Sequence, residues 1–184
     1  MMYFPEKYNR SKKIISPHQY FEELKGDLDD KEARVSLCKF LRCNLGFTAH
    51  LLTGLKIYPV QEIVLKGLFA RNFSLCVFGR GLGKSFIAAL FCCLYAIFTP
   101  GAKIIIAGPT FRTARLVFQY IDSFINSKGG ELLSQCFTSY RRSPDQLTIE
   151  INGGSIIAIP LNGEKIRGFR ASVLVIDEYL LMPK

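Results

Sequence analysis

Two short stretches of this chain carry residue types at spacings that could do chemistry on a phosphate chain. The first is Gly79-Arg80-Gly81-Leu82-Gly83-Lys84-Ser85, three glycines separated by single residues and followed by an amine and a hydroxyl. Glycines let a loop turn its backbone N–H groups inward around phosphate oxygens, and a helix starting at Lys84 adds the positive end of its dipole. The Lys84 ammonium can reach outer phosphates and the Ser85 hydroxyl can ligate Mg²⁺. Gly79, Arg80, Gly81, Leu82, Gly83, Lys84 and Ser85 are therefore candidate residues for binding ATP. The loop departs from the common G-x-x-x-x-G-K-[ST] pattern, since Phe78 stands where its first glycine belongs. A glycine-rich turn with no chemical role would read the same in isolation.

The second stretch is Val173-Leu174-Val175-Ile176-Asp177-Glu178, four apolar residues followed by two carboxylates. It predicts a fully buried strand with the acids emerging at its C-terminal end, where ligands sit in open parallel sheets. Asp177 could then hold Mg²⁺ together with Ser85, leaving Glu178 to orient and polarise a water against the γ-phosphorus. Buried charges are costly unless paired or bound to metal, which argues against a merely structural role for both acids. Arg80, inside the glycine loop, could neutralise charge developing on the γ-phosphate as an arginine supplied in cis; it could equally be a surface arginine. Gln61 precedes the strand that feeds the loop, and its amide can offer donor and acceptor together to an adenine edge. A water-facing residue of a first helical turn fits that position as well.

The elements that must position these groups are legible in the spacing. Ser74 to Phe78 reads as a buried strand entering the glycine loop, and Lys84 to Ile97 as a helix that is apolar nearly all round. Asp29 with Glu32 predicts a helix start with a capping box, and Ala33, Leu37, Phe40 and Leu41 share one face of that helix. Asn44-Leu45-Gly46 ends it, and a second short helix runs to Thr53-Gly54. Tyr58-Pro59 opens another, with Pro59 in the first turn and a buried stripe of Val60, Ile63, Val64, Gly67 and Leu68. Lys103 to Ala107 is a central strand, Gly108-Pro109-Thr110 a turn, and Ala114, Val117, Phe118, Ile121 and Ile125 mark an amphipathic helix. Asp145 to Asn152 and Ser155 to Pro160 make a hairpin around Asn152-Gly153-Gly154, placed at the sheet edge or as an insertion. Strands alternating with helices give an α/β fold with a doubly wound, mostly parallel sheet. Residues 1–56 read as an arm and helical segment, and residues 57–184 as the nucleotide-binding domain.

Composition narrows the partners. The 184 residues are 49% hydrophobic and carry a formal net charge of +9, with a mean hydropathy of +0.19. The charge points to an anionic partner, nucleic acid first and a membrane surface second. The apolar balance suits a buried parallel sheet and a face meant for something else. Six cysteines show no C-x-x-C pairing, and His18 and His50 stand at no ligand spacing from them, so they read as core thiols of a reducing cytosol. The longest apolar run, Phe86 to Phe98, is shorter than the roughly 18 residues of a membrane span, and the polar, basic N-terminus does not read as a signal peptide.

With Tyr58-Pro59-Val60-Gln61, the glycine loop, Gly108-Pro109-Thr110, Ile166-Arg167-Gly168 and Val175-Ile176-Asp177-Glu178-Tyr179 in hand, the chain resembles the N-terminal ATPase part of the large terminase subunit, the DNA-packaging motor of tailed phages. The similarity spans roughly residues 45–182. It implies a P-loop fold of the RecA/ASCE-like kind with ATP and Mg²⁺ as cofactors. It gives Gln61 to adenine, Lys84 and Ser85 to phosphate and metal, Asp177 to the metal and Glu178 to the catalytic base. It makes Arg80 the loop arginine, and Arg167 an arginine reaching into a neighbouring subunit. Double-stranded DNA, a portal protein, a small terminase subunit and a homo-oligomeric ring are the implied partners, at the procapsid in the host cytoplasm, with no membrane. Family members continue into a coupling strand and a nuclease domain. Neither lies in residues 1–184, so the sequence reads as a truncated or split product and DNA cleavage is not assigned to it. Two other readings remain open, a helicase-like (superfamily 2) DNA translocase and a non-catalytic fragment that binds nucleotide or DNA.

Overall fold

The computed structural model describes residues 16, 18–19, 21–22, 30–79, 81–143, 146–160 and 168–178. Helix α1, Lys31–Cys43, is capped by Asp30, whose carboxylate accepts the backbone N–H groups of Glu32 and Ala33 at 3.2 Å each, a contact worth about 1 kcal/mol. The cap thus falls on Asp30, and Asp29 lies outside the described residues. Helix α2, Leu45–Thr53, follows at once and ends on Gly54 in the left-handed region. Pro59 sits in the first turn of α3, Pro59–Ala70. Helix α4, Lys84–Phe98, starts directly after the glycine loop.

Strand β1, Lys103–Gly108, is followed by α5, Phe111–Ile125, the short helix α6, Glu131–Gln135, and strands β2, Phe137–Arg142, β3, Leu147–Ile151, β4, Gly154–Pro160 and β5, Val173–Ile176. The sheet order is β2-β3-β4-β1-β5. Strands β4 and β5 flank β1 and run parallel to it, while β3 is antiparallel to both β2 and β4. Asn152 and Gly153 both take positive φ at the β3–β4 turn, the geometry of a two-residue hairpin.

The core lies on one face of the sheet. Ile104 and Ile106 of β1 and Ile156 and Ala158 of β4 meet Leu90 and Leu94 of α4 and Val117, Phe118 and Ile121 of α5. Phe118, Ile104 and Leu94 are each almost wholly removed from water, which contributes on the order of 1.5–3 kcal/mol per side chain. Helices α2 to α6 share this one core and α1 packs instead in a separate cluster around Phe40, so the second helical layer of a doubly wound sheet is not among the described residues.

Four expectations need correction. The β3–β4 hairpin does not lie at the sheet edge: β4 pairs with β1 in the sheet interior, and β2, which the sequence reading passed over, is the edge. The buried side of α3 is Leu65, with Leu68 and Phe69 packed against α4, while Val60 and Ile63 face water. The run 74–78 is not a buried strand. It pairs with no strand in the described sheet, and Leu75 and Val77 are 83% and 87% exposed. Nor is β5 fully buried, because it is the other edge: Val173 and Val175 pack on the core, but Leu174 on the opposite face is 51% exposed. Burial on both faces requires packed layers above and below, and β5 lies at the edge with its core-side residues covered and Leu174 on the uncovered face.

Candidate nucleotide site

The glycine loop and the paired acids meet at one end of the sheet. Gly81 and Gly83 take φ values of 85° and 77°, in the left-handed region that a β-carbon would penalise. They turn the chain sharply so that α4 begins at Lys84 with no side-chain cap on its N-terminus. The N–H groups of a helix's first turn have no partner within the helix, and the dipole there favours an anion. Leu82, between the two glycines, is exposed, and Gly79 leads into the turn.

From the other side, β5 delivers Asp177 at its C-terminal end. The Asp177 backbone N–H donates to the Ala107 carbonyl at 2.9 Å, which prolongs the β1–β5 ladder by one bond and fixes the carboxylate. Lys84 Nζ lies 3.0 Å from Asp177 Oδ1, and Ser85 Oγ donates to Oδ2 at 3.1 Å. Asp177 is only 5% exposed, and a carboxylate so buried needs the cation and the donors it has. Hydroxyl and carboxylate oxygens side by side form a hard donor set of the kind Mg²⁺ prefers, so Ser85 and Asp177 fit such an ion.

Glu178 follows with φ 55°, one of two non-glycine residues with positive φ among those described. Its N–H donates to Asp177 Oδ1 at 3.0 Å. Holding a side chain in this region costs on the order of 1–3 kcal/mol and is concentrated at functional sites. Gln61 stands close by. Its Oε1 accepts the Tyr58 N–H at 3.0 Å, and its Nε2 would lie 3.0 Å from a β-carbon added to Gly83. The amide therefore both closes the first turn of α3 and lies against the glycine loop. Arg80 and Arg167 lie outside the described residues.

Sequence reasoning missed Thr113. It locks the Gly108-Pro109-Thr110 turn at the C-terminal end of β1 through reciprocal bonds with Thr110, at 3.2 and 3.3 Å. The close packing of Thr113 Oγ1 leaves no room for a β-carbon on Gly108. The hydroxyls at i and i+3 were the available signal. The thiols stay outside this chemistry, and the expectation of core residues holds for Cys92 and Cys93 but not for Cys38, Cys43 and Cys76, which are exposed. Burial pushes Cys92 up to about 12 and raises Cys93 as well, so both are inert core residues of α4.

The model of the family "Terminase large subunit, T4likevirus-type, N-terminal" matches residues 75–184, more than half of the chain. The chain belongs to this terminase large-subunit family. No curated protein matches it by sequence. Among solved structures, it is similar to the large terminase ATPase domain of Thermus phage P74-26, with 17% identity and a TM-score of 0.51, over 73% of this chain and 58% of that one. It also aligns with the large terminase of the thermophilic bacteriophage D6E, with 21% identity and a TM-score of 0.48, over 69% of this chain and 32% of that one. The chain thus spans less than two thirds of either solved terminase chain. The likeness to the Thermus phage domain is one of α/β fold.

Proposed function

We propose that this chain is the ATP-hydrolysing module of a viral DNA-packaging motor, coupling ATP hydrolysis to translocation of double-stranded DNA into a procapsid. The convergence of Lys84 and Ser85 on the buried Asp177, across the junction of α4 and β5, carries the reading. In it, the first-turn N–H groups of α4 and the glycine loop cradle the β- and γ-phosphates. The Lys84 ammonium leaves Asp177 to pair with the outer phosphate. Ser85 and Asp177 hold Mg²⁺, which supplies charge neutralisation on the phosphate oxygens. Glu178 accepts a proton from the attacking water. Gln61 reads the adenine edge next to the loop, Arg80 offsets charge on the γ-phosphate, and Arg167 reaches a neighbouring site in a ring of copies.

The partners follow from the same reading: duplex DNA, a portal protein and a small terminase subunit, in the cytoplasm of an infected host. The described residues hold no helix long and apolar enough to cross a membrane. Phosphate release with and without double-stranded DNA tests the proposal. Hydrolysis stimulated by DNA, and lost in Glu178→Gln, is expected. A rate equal to that of Glu178→Gln would instead make the chain a binding module without turnover.

A further inference from the structure

Far from the glycine loop, the N-terminal helix carries a feature that nucleotide chemistry does not use. Helix α1 has two unlike faces. Phe40, Leu37 and Leu41 turn inward onto Phe47 and Phe21. On the opposite side Lys31, Arg34, Val35, Cys38 and Arg42 recur at helical spacing, with Lys39 beside them, and all are exposed. This outer face forms one wall of a groove of about 550 Å³ whose other wall is the end of α4 at Ile97, Phe98 and Pro100.

Three properties define what the groove suits. None of its four cations has an acidic partner among the described residues. No acid is among the described residues that line it. Its floor, between the cations, is apolar, with Val35 44% exposed. The cations run along about 16 Å of helix, roughly three turns. A polyanion alone would satisfy them and leave the floor in water. An occupant carrying acids on its flanks and an apolar stripe between them satisfies both, and a helix laid in a groove presents that arrangement.

We propose that the groove between α1 and the end of α4 is a docking site for an acidic amphipathic helix of a partner protein. The charge complementarity sets the encounter and the apolar floor sets the specificity.

The native cysteines report on it. Cys38 lies in the groove, while Cys43 and Cys76 are exposed elsewhere. The probe is a synthetic helical peptide of about five turns, with leucines on one stripe and glutamates on its flanks. At saturation it should slow alkylation of Cys38 about tenfold, as near-complete occupancy requires, and leave Cys43 and Cys76 unchanged. The protection should vanish in Arg34→Glu/Arg42→Glu and weaken in Val35→Asp, three exposed positions where the fold is not at stake. Absence of protection, or equal protection by a peptide of the same composition with scattered leucines, would overturn the proposal. Equal protection by a short DNA duplex, unaffected by Val35→Asp, would overturn it in favour of a nucleic-acid surface.

Discussion

Ser85 and Asp177 stand 92 positions apart in the chain, yet the Ser85 hydroxyl donates to the Asp177 carboxylate at 3.1 Å. The bond joins the first turn of α4 to the end of β5, so anything that orders the glycine loop also acts on the sheet edge. The Lys84 ammonium on the other oxygen of the same carboxylate completes a small polar cluster against an apolar core.

Lys84→Ala removes the one ammonium at this cluster. A hydrogen bond to a charged group is worth about 1.5–3 kcal/mol, so ATP affinity should fall by roughly ten- to a hundredfold, read by calorimetry. Unchanged affinity would place the nucleotide elsewhere. The helices should persist in circular dichroism, because Lys84 is partly exposed and contributes nothing to the core.

Glu178 offers a test that separates function from stability. Glu178→Gln should keep ATP binding and slow hydrolysis by on the order of 10²–10⁴-fold, the usual contribution of a general base. Glu178→Gly should also lose hydrolysis but raise the unfolding free energy by about 1 kcal/mol, because glycine accepts a φ of 55° without strain. A glycine variant less stable than the parent would mean that the side chain, not the backbone, holds this position.

Much of the site was legible because its residues are contiguous. Gly79 to Ser85 and Val173 to Glu178 are short runs in which each residue type has its own chemical reason, and no long-range information is needed to read them. Faces and edges were less legible. Helix α3 is apolar on several sides, so Val60 and Ile63 looked as core-like as Leu65, and only the docking of Phe69 against Phe91 and Tyr95 decides between them. Strand β2, Phe-Thr-Ser-Tyr-Arg-Arg, shows no clean apolar alternation, and its strand state comes from its ladder with β3. The burial of β5 and of residues 74–78 depends on which strands lie beside them, which local pattern does not encode.

Exposure of the stretch before the loop has a direct consequence. Leu75→Ser and Val77→Ser should each shift unfolding free energy by no more than about 0.5 kcal/mol, as surface substitutions do, and should reduce self-association measured by light scattering. A loss of about 2–5 kcal/mol, the cost of truncating a core residue, would show that these side chains are buried in solution.

Tyr140 links β2 to α5, its phenol donating to Asp122 at 2.6 Å while Arg142 pairs with the same carboxylate at 3.1 Å. Burial, and then the bond to Asp122, push the phenol up to about 12 from its ordinary value of 10.0. Between those values the unfolded chain has released a proton that the folded chain retains. The stabilisation is therefore complete below pH 10 and is lost as pH rises toward 12. Phenolate absorbance of the parent minus that of Tyr140→Phe should show this late-ionising group, and the variant's stability should fall less steeply across that window.

Phosphate and metal are proposed to share one site at Lys84, Ser85 and Asp177, and the metal dependence of ATP binding tests that site most directly. Calorimetric titration with ATP, in Mg²⁺ and then in a chelator, should show tighter binding with the ion in the parent chain. In Ser85→Ala and Asp177→Asn that gain should disappear while metal-free binding persists. Variants that keep the full Mg²⁺-dependent gain would contradict the account.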